Sequence, residues 1–217
     1  TAINPANASY IDEGSPFLLD VGPPGAGRGT PGGVHYSDSP IFDMGPITIF
    51  GFHGAQLTLK TPSIVTFSLL GFEAGYGNQF LVNDTVIFDT ETPGFNEVSQ
   101  AGLGGEYLHS MYLPAGLIPF EFRVTTTGES LANGSNPDNS TGGDINSPAI
   151  FMSIFNMQMI SGNSIFLGFD DGGAGPDYDY DDMFLSLGAV EVPEPGGLSL
   201  LSLGLIGLVT LRKRMIK

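Results

Sequence analysis

Phe120-Glu121-Phe122-Arg123-Val124-Thr125 alternates apolar and polar side chains at every step. A β-strand sends successive side chains to opposite faces, so the stretch buries Phe120, Phe122 and Val124 and turns Glu121, Arg123 and Thr125 the other way. A helix would scatter the same residues around its circumference. Leu57 and Leu59, set among Gln56, Thr58 and Lys60, repeat the pattern. Strand-like runs recur at 17–21, 47–52, 56–60, 63–70, 85–89, 106–112, 117–125, 149–157, 164–169 and 183–190, separated by Gly, Pro, Asn and Asp. No stretch before residue 191 sustains a period of 3.6. The expected fold is all-β: a single antiparallel β-sandwich, jelly-roll-like, over residues 1–190, plus a hydrophobic helix in a tail over 191–217. Residues 22–46, rich in Pro and Gly, and 133–147 read as long irregular loops.

Composition narrows the means of stabilisation. The chain holds 16 Phe and 7 Tyr but no Trp and no Cys, so aromatics and branched aliphatics must build the core without disulfides. The missing thiols also exclude thiol catalysis, Cys-ligated zinc and iron–sulfur clusters. Charge is uneven. Four of the seven cations, Arg212, Lys213, Arg214 and Lys217, crowd the last six positions, which leaves Arg28, Lys60 and Arg123 for residues 1–190. The same residues hold all but two of the 23 acids. Such a body repels phosphate backbones and attracts cations, so nucleic acid is not an expected partner.

The tail carries a different chemistry. Val192-Pro193-Glu194-Pro195 leads into an uncharged run that reaches Leu211, and Arg212-Lys213-Arg214 follow at once. The run from Pro195 to Leu211 is 17 residues, the low end of the ~17–25 that cross a bilayer as a helix. It has no polar face, which argues against an amphipathic helix closing a domain. Cations beyond it would stay cytoplasmic, leaving the acidic body on the far side.

Motif, hydrophobic helix and basic cluster in that order closely resemble the PEP-CTERM sorting signal, over about residues 192–217. The resemblance implies recognition by an exosortase-type membrane protease that cuts near the motif, with the membrane engaged through the helix before cleavage. It implies export across the inner membrane of a Gram-negative bacterium, then a place at the cell surface or outside it, among exopolysaccharide and biofilm matrix. Separately, a start at Thr1 rather than Met leads to the expectation that a signal peptide or some other leader has been removed. Body segments resemble such proteins more loosely: Phe72-Glu73-Ala74-Gly75-Tyr76 with Asn78 and Phe80, and Phe169-Asp170-Asp171-Gly172-Gly173.

One constellation in the body suggests chemistry. Asp170, Asp171, Asp177, Asp179, Asp181 and Asp182 place six carboxylates within 13 residues, around Gly172, Gly173 and Gly175. Hard oxygen ligands at flexible spacing suit Ca²⁺. Asp177-x-Asp179-x-Asp181 imitates the start of an EF-hand loop, but Asp182 stands where that loop needs Gly and Gly188 where it needs Glu. An EF-hand is excluded. A structural Ca²⁺ site, a solvated acidic loop and a catalytic carboxylate pair remain as readings. Asp138, Asn139 and Asp144 form a weaker oxygen-rich group.

Other motifs carry less. Gly27-x-Gly29-x-x-Gly32 matches a dinucleotide fingerprint by letter, but Pro31 lies inside it and no amphipathic helix follows. His35, His53 and His109 are isolated, and no Gly-x-Ser-x-Gly elbow occurs. Tyr76, Tyr107, Tyr178 and Tyr180 could serve a sugar platform, the last two beside the acidic residues. The expected function is therefore a non-enzymatic structural or adhesive protein of the surface or matrix. A Ca²⁺-dependent, lectin-like carbohydrate-binding module is the alternative, and an extracellular hydrolase ranks behind it.

Overall fold

The computed structural model describes residues 9–10, 15–20, 30–36, 47–53, 55–72, 74–92, 107–134, 148–155, 164–172 and 180–193. Among them every regular element is a strand. In chain order these are β1 (Ser9–Tyr10), β2 (Phe17–Asp20), β3 (Thr30–Tyr36), β4 (Ile47–His53), β5 (Gln56–Leu59), β6 (Ser63–Gly71), β7 (Asn78–Val82) and β8 (Thr85–Asp89). They continue with β9 (Leu108–Leu113), β10 (Gly116–Leu117), β11 (Phe120–Val124), β12 (Ser130–Ala132), β13 (Ala149–Phe155), β14 (Ser164–Asp170) and β15 (Met183–Glu191). All strand pairs are antiparallel and fall into three sheets. The largest runs β3-β4-β13-β14-β15-β6-β9, and the two smaller run β1-β2-β5-β10 and β12-β11-β7-β8.

The alternation of residues 120–125 is realised in β11. Phe120, Phe122 and Val124 are buried while Glu121 and Arg123 stay half-exposed, the two charged groups paired at 2.9 Å. Opposite them, Phe122 pairs with Phe80 of β7 on one side and Leu131 of β12 on the other. In β5, Leu57 and Leu59 point inward as their spacing requires.

One core collects these inward faces from all three sheets, including Leu19, Leu57, Phe67, Phe80, Phe122, Leu167 and Leu187. Phe carries it. The Phe122 ring stacks on Phe169 of the large sheet with centroids 4.5 Å apart and planes 5° from parallel, and Phe80 meets Phe67 at 5.6 Å. Burying each ring contributes roughly 1.5–3 kcal/mol, and aromatic pairing adds about 0.5–1.5. Asn133 ties two sheets by polar means. Its side chain donates to Leu57 O (2.7 Å) and Ile118 O (2.8 Å) and accepts from Leu57 N (2.9 Å), satisfying an amide buried among apolar residues.

Three local readings need correction. Residues 22–46 are not wholly irregular, because β3 occupies Thr30–Tyr36 and pairs with β4 along its length. Pro31, Gly32 and Gly33 hid it. They are tolerable because β3 lies at the edge of its sheet, where one row of N–H groups needs no ladder partner. That strand also runs through the dinucleotide-like motif, where a phosphate-binding helix would have to begin. The run 117–125 is two strands, since Pro119 cannot donate: β10 ends at Leu117 in one sheet and β11 begins at Phe120 in another. β7 was missed because Phe80, Leu81 and Val82 are all buried and break the period of two. Its link to β8 is Asn83-Asp84, with φ of 50° and 59°, as a two-residue type I′ hairpin turn demands. The hydrophobic tail expected to form a helix lies outside the described residues, and among those no helix is long and apolar enough to cross a membrane.

Phe122→Ala removes the ring that stacks between sheets and should cost about 3–5 kcal/mol in denaturant unfolding. Glu121→Ala, one residue away on the outer face, should stay within about 0.5 kcal/mol of the parent.

Candidate functional site

β14 and β15 set the geometry of the acidic segment. They pair antiparallel, with Gly168 opposite Phe184, so the end of β14 and the start of β15 meet at one rim of the large sheet. The chain between them is the Asp-rich stretch. Asp170 closes β14, Asp171 and Gly172 follow, and the chain returns through Tyr180, Asp181 and Asp182. Asp181 forms an isolated parallel bridge with Phe169, which holds the returning chain against the departing one. Gly172 (φ 72°) and Tyr180 (φ 60°) both take left-handed backbone, a conformation that Gly adopts freely and Tyr rarely.

Four of the six expected carboxylates thus lie on two chain segments that run side by side at this rim. Asp170, Asp171 and Asp181 are buried, and Asp182 is half-exposed. Asp182 Oδ2 accepts from Asp171 N at 2.7 Å, and Asp170 Oδ1 accepts from Gly172 N at 2.8 Å. Backbone donors offset part of the desolvation that burying carboxylates costs. Asp177 and Asp179 fall in 173–179, outside the described residues, as do Asp138, Asn139 and Asp144. Among the described residues no three acidic or His side chains converge as a metal ion requires.

Asn78 is the residue that sequence reasoning passed over. It opens β7, is fully buried, and donates from Nδ2 to Asp171 Oδ2 at 3.0 Å across 93 residues of chain. Its backbone N–H is held by Thr90 Oγ1 at 2.8 Å. Asn78 Oδ1 is buried with no hydrogen-bond partner. Such an oxygen is costly unless something meets it, and a neutral amide oxygen beside carboxylates is a ligand type that Ca²⁺ takes. Nothing in the local sequence announces this, since Asn78 and Asp171 meet only through sheet packing.

Of the aromatic residues, Tyr180 is buried, and Tyr76 and Tyr107 are half-buried and pack against the core. Tyr178 lies outside the described residues. His109 is half-buried in β9, where it pairs with Phe67 of β6. Asn78→Ala should destabilise the fold by about 1–3 kcal/mol, because Asp171 loses a buried donor. Denaturant unfolding measures it, and an unchanged midpoint would mean that the Asn78–Asp171 bond adds nothing.

At the other end of β15 the strand runs to Glu191, and Val192 N still donates to Pro62 O at 2.9 Å. The sorting residues therefore leave directly from the sheet: Val192 and Pro193 are described, while Glu194, Pro195 and the cations Arg212, Lys213 and Arg214 lie beyond. No curated protein and no solved structure matches the chain. A family model does, that of the PEP-CTERM protein-sorting motif, over residues 191–214. With the proline-flanked glutamate, the uncharged run and the basic cluster all inside that match, the chain carries a PEP-CTERM protein-sorting motif, a signal for export and for exosortase-dependent sorting to the cell surface or beyond.

Proposed function

We propose that this is a non-enzymatic structural or adhesive protein of the extracellular matrix of a Gram-negative bacterium, associated with exopolysaccharide and biofilm. Its body is a β-sandwich with jelly-roll-like connections, and Ca²⁺ stabilises it at the acidic rim. The run 195–211 holds it in the membrane as a helix until exosortase cleaves near Pro193-Glu194-Pro195. The single observation behind this reading is the sorting motif, which continues without a spacer from the last strand. An acidic body with few cations also suits a protein among polysaccharide chains and divalent ions.

The Ca²⁺ reading draws on the carboxylates that the rim carries, Asp170, Asp171, Asp181 and Asp182, and on the orphaned Asn78 Oδ1. Asp177 and Asp179 would supply the remaining oxygens. A bound ion would meet the amide oxygen and neutralise the carboxylates, binding the folded state alone.

Two experiments separate the parts. In the producing cell, replacing Pro193, Glu194 and Pro195 by Ala should leave the protein in the membrane fraction at full mass. Normal release with that change would remove the sorting role of those three residues. For the metal, thermal unfolding of the whole chain in detergent should shift upward in Ca²⁺ but not in Mg²⁺, by about 2.7 kcal/mol at a hundredfold excess over Kd. Alanine at Asp177, Asp179 and Asp181 together should abolish the shift. An unchanged midpoint for the parent chain would return the acidic rim to a purely structural role.

A further inference from the structure

β15 joins the two functional segments and faces them in opposite directions. Its nine residues span about 30 Å, with the acidic rim at Met183 and the sorting motif at Glu191. On the face of β15, β6 and β9 turned away from the core, the row nearest the motif is Val190, Ile64 and Tyr112. Val190 pairs with Ile64, and Ile64 with Tyr112, so the three side chains are direct cross-strand neighbours. They are 72%, 40% and 56% exposed. The next row, Gly188, Thr66 and Ser110, is uncharged as well, with Thr66 Oγ1 and Ser110 Oγ hydrogen-bonded at 2.8 Å. An uncharged, outward apolar row is conspicuous on a body so rich in carboxylates.

We propose that this row rests on the lipid surface while the tail is inserted, seating the body on the bilayer through Tyr112, Ile64 and Val190. The inference relies on the proposed membrane insertion of residues 195–211. Its geometric basis is the short leash. From Val192, pinned to Pro62, to Leu198, the first large apolar residue of the run, is six residues, at most about 20 Å when extended. The row lies two residues before the leash begins and cannot leave the vicinity of the headgroups. Its chemistry suits that position, because Tyr places an apolar ring and a hydroxyl at the membrane–water boundary. Lys60, exposed two residues before Pro62, brings one of the three cations of residues 1–190 to the same corner. Glu191 falls on the opposite face of β15 from Val190, since successive strand residues alternate. The acidic rim is kept about 30 Å away, several times the ~8 Å screening length at physiological salt, so its repulsion from lipid phosphate is screened.

The absence of Trp makes the test clean, because any introduced Trp is the sole one. Three variants of the whole chain, Tyr112→Trp, Val86→Trp and Leu203→Trp, are reconstituted in phosphatidylcholine vesicles with and without lipid brominated near the headgroup or, for Leu203→Trp, deep in the acyl chains. Val86 is exposed on β8 in a different sheet and controls for the affinity of Trp itself. The expected result is a blue-shifted emission from Tyr112→Trp that loses most of its intensity to brominated lipid, with Val86→Trp unaffected. Quenching of Leu203→Trp together with no quenching of Tyr112→Trp overturns the seating and leaves the inserted tail intact. No quenching of Leu203→Trp overturns the insertion, and the seating with it. Emission from Tyr112→Trp that ignores brominated lipid but shifts with the protein-to-lipid ratio also overturns the proposal, and assigns the row to a second copy of the chain.

Discussion

The stack of Phe122 on Phe169 joins a small sheet to the large one, and much else depends on it. With no disulfide and no Trp, the sheets are held by close-packed Phe rings extended by Leu and Ile. Such a contact fixes position as well as adding stability. Phe122 sits in β11 with Phe120 and Val124 on the same face, so a slip of one residue would turn all three outward and bring Glu121 and Arg123 into the core. Phe169 sits one residue before Asp170, so the ring that anchors β14 also sets where the carboxylates begin.

From that anchor the polar rim follows. β14 is buried along its whole length, and its away-facing side has its own aromatic contact, Phe166 on Phe184 at 5.7 Å. A strand covered on both faces brings whatever comes next close to protein rather than water. Asp170, Asp171 and Asp181 are buried for that reason, and there the Gly172 N–H meets Asp170 and Asn78 meets Asp171. β15 then carries the chain straight from this rim to the sorting motif. Delivery signal and acidic rim occupy opposite ends of one strand. The acidic rim therefore lies one strand length from the residues where the sorting motif begins.

Much of the architecture was legible in the sequence. Period-two alternation marked β5 and β11, and runs of branched and aromatic residues marked β6, β13, β14 and β15 close to their observed limits. The elements that escaped did so for identifiable reasons. β3 contains Pro31 and two glycines, which local propensity reads as loop, and its pairing with β4 overrides that preference. β7 has apolar residues on both faces, which erases the alternation. The break at Ile118-Pro119 concerns which sheet each half joins, a question of long-range pairing.

The sorting motif was legible throughout, because its information is local: a proline-flanked acid, an apolar run of membrane length and adjacent cations need no partner elsewhere in the chain. The acidic cluster was half legible. Its composition stood in the sequence, but the burial of Asp171, its bond to Asn78 and the inward turn of Tyr180 were not. The sequence by itself determined the class of fold, the strands with clear alternation and the destination of the protein, because these rest on periodicity and contiguous motifs. Only the tertiary structure decided that Asn78 meets Asp171 and that Val190, Ile64 and Tyr112 form one row, because strand pairing joins residues separated by tens of positions, and no local preference encodes such a partner.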